Sequence, residues 1–350
     1  MAPRTGRPPV PVSVLTGFLG AGKTTILNGL LRQPGMEGAA VIVNEFGEVG
    51  IDHLLVESIP GEAVLLESGC LCCSLRGDLV DTMNVLRLRA EAGDIPPFDR
   101  LLVETTGLAD PAPILQTLIR EPLLAGHYRL SGLVTAVDAV NGAEQLDSCP
   151  EAVKQAALAS LILLTKTDIA PPASAAALEA RLQRLNPVAE CIRTVSGGVS
   201  GERIFAAADY DPGAWATSGY PLAFTPAPAE EVSGHRHAHD REHGHVHGDG
   251  IVTFRIERTG PVSWAALRVW LNSLTTLRGA DLLRVKGFVD VAGHDAPVVI
   301  HGVQHIFHPP CEAAAWPDGV RRTRIVCIAR GIDAASVSNA LDAAVEKLPN

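Results

Sequence analysis

The stretch VPVSVLTGFLGAGKTT, residues 10–25, decides how the first half of the chain reads. A short β-branched run passes straight into a glycine loop. ILNGLLRQ then follows, with Ile26, Leu27, Leu30 and Leu31 at helical spacing. From Gly17 to Thr24 the residues fit the eight-residue phosphate-loop pattern, with Gly17, Gly22, Lys23 and Thr24 in the required places and Gly20 and Ala21 between them. Glycines let backbone N–H groups turn inward around phosphate oxygens, and the helix that follows presents its positive end to them. Lys23 is placed to reach the β- and γ-phosphates, the Thr24 hydroxyl suits Mg²⁺, and Thr25 is a further nucleotide-binding candidate. A chance glycine turn has no reason to fall between a strand and a helix.

Beyond this loop, AAVIV at 39–43, AVLLES, RLLVETTG at 100–107, LSGLVTAVDA at 130–139 and LASLILLTKTD at 158–168 are continuous apolar runs separated by helical segments. That alternation predicts an α/β domain whose mostly parallel sheet is covered on both faces. Glu104 falls at the end of one strand, where a carboxylate can hold the Mg²⁺ shell or orient water. Gly107, three residues on, can meet a γ-phosphate through its backbone. An ordinary solvated strand-end carboxylate is the plain alternative for Glu104. TKTD at 165–168 lies where a guanine-recognition loop of the N-K-x-D type belongs, with Thr165 in place of Asn. Asp168 can accept from the guanine N1–H and amine, which adenine does not offer, and Lys166 can lie across the base. GTP is therefore expected over ATP. VSG at 195–197 is a weaker candidate for a further base-contacting loop.

The composition bounds the rest. The chain has 350 residues, of which 47% are hydrophobic and 19% charged, enough for two domains with real cores. A net charge of -10 argues against a general nucleic-acid binder. No apolar segment follows the basic N-terminus, and no long uncharged apolar window occurs, so neither a secretory signal nor a membrane span is expected and a cytoplasmic location is. The expected organisation is a nucleotide-binding domain over 8–215, a His-rich linker over 216–250, and a smaller α+β domain over 251–348. In that last part IVTFRIER reads as a strand followed by an amphipathic helix, then three more strands and a closing helix.

LESGCLCCSLRGDL raises a different question, because Cys70, Cys72 and Cys73 put three thiols within four residues. Thiolates favour tetrahedral Zn²⁺, and the same set suits Co²⁺ or Cu(I). A buried apolar cluster, a redox switch and a purely structural zinc site compete with metal transfer. The other cysteines, Cys149, Cys191, Cys311 and Cys327, are dispersed and are expected to be small buried hydrophobes rather than disulfide partners. HRHAHDREHGHVHG carries His235, His237, His239, His243, His245 and His247, half of the chain's twelve histidines. Mostly neutral near pH 7, these imidazoles suit an auxiliary, metal-collecting arm, with a solvated linker as the plain alternative.

Together the phosphate loop, NEFGEVGID at 44–52, GCLCC, ETTGLADP and TKTD resemble the CobW-type P-loop GTPases, relatives of the nickel-handling HypB and UreG. LLRVKGF and VVIHGVQHIF resemble the CobW C-terminal domain, so the likeness spans nearly the whole chain. It implies Mg²⁺-dependent GTP hydrolysis coupled to delivery of Zn²⁺ or Co²⁺ to a client metalloprotein. NEFGEVGID and ETTG then match the two switch regions, with the cysteines between them in sequence, and Glu45 becomes a further candidate ligand for the carried metal. The likeness also leaves room for a homodimer that depends on metal or nucleotide. The rival readings are a cobalt chaperone for cobalamin synthesis, a nucleotide-regulated zinc store or sensor, and an ATP-dependent metal-centre activator.

Overall fold

The computed structural model describes residues 8–43, 64–67, 75–206, 245–246, 250–279, 281–308 and 310–349. The chain divides into two compact units, one of residues 1–182 with 189–212, the other of 183–188 with 213–350.

In the first unit, seven strands form a sheet in the order β3-β2-β4-β1-β5-β6-β7, and every pairing is parallel. The strands are β1 (Val10–Gly17), β2 (Ala39–Val43), β3 (Val64–Glu67), β4 (Arg100–Glu104), β5 (Tyr128–Asp138), β6 (Leu161–Thr165) and β7 (Glu190–Arg193). All five residues of β2 and of β6 are buried, as a sheet covered on both faces requires. Seven helices connect them: α1 (Lys23–Leu31), α2 (Leu75–Ala92), α3 (Pro111–Arg120), α4 (Gly142–Ser148), α5 (Pro150–Leu158), α6 (Pro172–Leu185) and α7 (Gly201–Ala206). Helix α1 buries Ile26, Leu27, Leu30 and Leu31, the four residues whose spacing predicted it. Helix α3 begins where its chemistry says it should. The Asp110 carboxylate accepts from the Ala112 N–H and Pro111 opens the first turn, a cap whose loss costs about 1 kcal/mol.

Strand order matters more than strand count. β1 lies between β4 and β5, so the chain leaves β1 in one direction along the sheet and later returns to its other side. Ligands of open parallel sheets bind outside the carboxyl ends at such a reversal. The register sets these ends level: Leu15 pairs with Glu104, Gly17 with Ala136, and Asp138 with Thr165.

The second unit is built on an antiparallel sheet in the order β12-β11-β10-β14-β9-β8, with β13 added against β11. Its strands are β8 (His245–Val246), β9 (Ile251–Arg258), β10 (Leu282–Val289), β11 (Val298–Val303), β12 (Ile306–Phe307), β13 (Cys311–Glu312) and β14 (Thr323–Arg330). Helices α8 (Trp264–Arg278) and α9 (Ala334–Lys347) start at Ser263 and Asp333, whose side chains cap them. Their apolar faces meet the sheet in a core centred on Trp270, which is 1% exposed and donates its Nε1–H to the Val337 carbonyl at 3.1 Å.

Two expectations change. Within the stretch read as linker, His245 and Val246 form strand β8, paired with Thr253 and Val252 of β9. Of the four dispersed cysteines only Cys327 is buried, while Cys149, Cys191 and Cys311 are half-buried. The reason is position: Cys149 caps the junction of α4 and α5, and Cys191 and Cys311 lie on a sheet-edge strand and on the short β13. None of the four is in a disulfide among the described residues.

Candidate nucleotide site

At the end of β1 the backbone leaves the strand through Gly17, whose φ of 146° no other residue adopts easily. A Cβ there would lie 2.4 Å from the Ala136 carbonyl oxygen, so the close approach of β5 is a second reason for glycine. Gly22, left-handed at φ 90°, caps α1 with no side-chain hydrogen bond, which leaves the first-turn N–H groups of the helix directed at the loop. The Lys23 ammonium curls back over this loop and donates to the carbonyls of Gly17 at 3.0 Å and Phe18 at 3.4 Å. Thr24, on the first turn of α1, donates its hydroxyl to Glu104 Oε1 at 3.4 Å. Glu104 is only 5% exposed, so it is not the ordinary solvated strand-end carboxylate. A hydroxyl beside a carboxylate oxygen at the mouth of a phosphate loop is a donor set that fits Mg²⁺.

The loop after β4 is fastened to the phosphate loop. Thr105 donates its N–H to Leu15 O at 2.9 Å and its hydroxyl to Thr16 Oγ1 at 2.8 Å. Gly107 then packs so close to Leu19 that a Cβ would meet the Leu19 N at 2.7 Å. The glycine is there to admit the neighbouring backbone, since its own conformation is not left-handed.

The loop after β6, expected to read the base, is held by side chains. Thr165, in the place of the expected Asn, donates its hydroxyl to the Ala21 carbonyl at 2.8 Å and so ties this loop to the phosphate loop. Lys166 is left-handed at φ 56° and pairs through Nζ with Asp138 Oδ2 at 2.7 Å. Asp138 is 1% exposed and also accepts from the Val140 and Asn141 N–H groups and from the Asn141 amide. Burial raises its pKa, but the Lys166, Asn141 and Val140 hydrogen bonds outweigh burial and hold the carboxyl below its ordinary value. Asp168 is exposed on the same loop. The 195–197 segment arrives beside it: Thr167 donates to Thr194 O at 3.4 Å, and a Cβ on Gly197 would lie 2.6 Å from Thr25 O at the start of α1.

Thus Gly17, Gly20, Ala21, Gly22, Lys23, Thr24, Thr25, Glu104 and Gly107 share one sheet edge, with Lys166 and Asp168 at the neighbouring strand end. Asp138 escaped the sequence reading because it lies 28 positions before the lysine it holds. Cys70, Cys72, Cys73 and Glu45 lie outside the described residues, as do His235, His237, His239, His243 and His247; the backbone of His245 lies in β8. Among the described residues no group of three His, Cys, Asp or Glu stands close enough to hold a metal, and no helix is long and apolar enough to cross a membrane. Of the histidines among the C-terminal strands, His301 is buried and stacks on His308 with ring centroids 5.5 Å apart, His294 pairs with Glu312, and burial pushes the His308 pKa down to about 4.

A fold of this topology, with its phosphate loop at the reversal point, defines a P-loop nucleotide-binding protein. The chain belongs to the CobW/HypB/UreG family, matching its nucleotide-binding domain over residues 11–193 and the cobalamin synthesis protein CobW C-terminal domain over 251–345. It is 35% identical to the zinc chaperone YjiA of Escherichia coli over 85% of this chain and 87% of that one. It is 30% identical to the zinc chaperone CobW of Pseudomonas aeruginosa over 96% and 92%. The crystal structure of zinc-bound YjiA GTPase superimposes with a TM-score of 0.70 at 28% identity, covering 96% of this chain and 99% of the other.

Proposed function

We propose that the protein is a Mg²⁺-dependent GTPase that carries zinc and hands it to a client metalloprotein, with GTP + H₂O → GDP + phosphate as its reaction. The observation that carries this reading is the fastening of Thr24, Glu104 and Gly107 around one phosphate loop in a chain whose full-length relatives are named zinc chaperones. Lys23 and the loop N–H groups would stabilise charge on the transferring phosphoryl group, as preorganised donors do. Thr24 and Glu104 would hold Mg²⁺, which when bound neutralises charge on the β- and γ-oxygens. Asp168 reads the guanine edge and Lys166 lies across the base, held there by Asp138. Cys70, Cys72 and Cys73, with Glu45, take the zinc, and the histidine segment collects it.

Titrating Zn²⁺ and Co²⁺ into the protein, first with GDP and then with a non-hydrolysable GTP analogue and Mg²⁺, tests the reading. Tighter zinc binding in the triphosphate state is expected. Equal affinity in both states makes the protein a zinc store, and a clear preference for Co²⁺ makes it a cobalt carrier. In the same assay Cys72→Ser should weaken tight metal binding and leave nucleotide affinity unchanged.

A further inference from the structure

Helix α5 does more than cover the sheet. Gln155, fully buried on it, donates from one Nε2 to two carbonyls of the loop after β4: Gly107 at 3.1 Å and Ala109 at 3.0 Å. One residue earlier, Lys154 forms an ion pair with Asp110, the residue that caps α3. The backbone of Gln155 is itself anchored, because its carbonyl accepts the Thr135 hydroxyl of β5 at 2.9 Å. Residues 107–110 are therefore gripped by two consecutive side chains of a helix that is distant in sequence.

A buried glutamine is a costly way to fill space, since its polar atoms lose water on folding. Here the cost is not fully offset, because Gln155 Oε1 is buried and accepts no hydrogen bond among the described residues. A leucine or methionine would fill that volume without stranding an acceptor. What only the amide supplies is its pair of donors, and both are aimed at the loop that carries Gly107. Gly107 stands against Leu19 of the phosphate loop with no room for a Cβ.

We infer that Gln155 is a positioning residue: with Lys154 it forms a clamp that holds the Gly107 peptide against the phosphate loop, and so sets the preference of the site for a triphosphate over a diphosphate. The clamp rests on the reading of Gly107 as the γ-phosphate contact. In its absence the phosphate loop and base loop remain intact and GDP binds as before, whereas the third phosphate meets a loop that must first be ordered.

Three variants of the full chain test this: Gln155→Met, which keeps the volume and removes both donors; Lys154→Met at the rim; and Gly107→Ala in the loop. The readouts are affinity for GDP, affinity for a non-hydrolysable GTP analogue with Mg²⁺, and single-turnover hydrolysis. Gln155→Met should bind GDP within about twofold of the parent and lose about tenfold in analogue affinity, the order expected for two modest hydrogen bonds. Single-turnover hydrolysis should slow by at least as much. A role in folding alone would lower both affinities together. An unchanged ratio of triphosphate to diphosphate affinity in Gln155→Met overturns the clamp. Should that variant fail to fold, Lys154→Met decides: a shift of the ratio in the same direction, about threefold, supports the clamp, and no shift overturns it. Gly107→Ala separates the two readings. If it loses the preference while Gln155→Met keeps it, only the clamp falls; if both keep it, the role of Gly107 falls too.

Discussion

The phosphate end and the base end of the site solve the same problem by opposite means. Both need left-handed backbone. At the phosphate end that conformation falls on Gly17 and Gly22, where it costs little. At the base end it falls on Lys166 at φ 56° and Ser196 at φ 51°, where each non-glycine residue stores about 1 kcal/mol or more. Such strain persists only if the surroundings over-determine it. Lys166 is held by Asp138, its neighbour Thr165 by Ala21 O, and Ser196 by the seat of Gly197 against α1. Each half is therefore vulnerable in its own way: the phosphate end to an added methyl group, the base end to a lost side-chain hydrogen bond.

The largest effect should come from the phosphate end. Gly17→Ala places a methyl group 2.4 Å from a backbone oxygen in a disfavoured conformation, and a loss of about 3 kcal/mol in unfolding free energy, together with nucleotide binding, is expected. Denaturant melts and calorimetric titration check both, and a variant of parental stability would undo the contrast. Thr165→Val removes one buried hydrogen bond and keeps the shape. A loss of about 1 kcal/mol, or roughly fivefold in affinity for GDP and GTP alike, is expected. Asp138→Asn acts with a pH signature. The folded carboxyl lies below its ordinary 3.8, so its contribution is complete above that value and disappears as pH falls through the lowered one. The variant should therefore lose about 1 kcal/mol near neutrality, given a lysine partner that is 34% exposed, and show a shallower acid limb below pH 4 in thermal melts. Smallest, and opposite in sign, Ser196→Gly should raise stability by up to about 1 kcal/mol through relief of the left-handed serine. If it destabilises instead, Ser196 is not strained in the way the contrast requires.

The same contrast explains what could be read without the structure. Apolar runs and a glycine loop revealed β1, the strands beside it and the phosphate end, because backbone geometry imposes residue types at fixed spacing. The base end showed only as TKTD, since its supports come from elsewhere: Asp138 lies 28 positions before Lys166, and Ala21 lies 144 before Thr165. Gln155 was illegible for the same reason. Nothing in PEAVKQAAL distinguishes a buried glutamine that grips a loop from a solvated one on a helix surface. The Cys149, Cys191 and Cys311 expectation failed because a preference for burial says nothing of strand edges and helix junctions. Strand β8 falls in a composition that suits a linker, where two residues are too short a pattern to read.

The placement of Trp270 at the centre of the second core has an optical consequence. The chain has four tryptophans, Trp215, Trp264, Trp270 and Trp316, and none precedes residue 212, where the nucleotide-binding unit ends. In a Trp215→Phe variant, which removes the one tryptophan outside the described residues, intrinsic indole fluorescence is therefore a label carried by Trp264, Trp270 and Trp316 of the second unit alone. In a chemical melt it will follow that unit while bound nucleotide follows the other. Any change in emission when GTP replaces GDP will be a signal that has travelled from one unit to the next, recorded without attaching a dye.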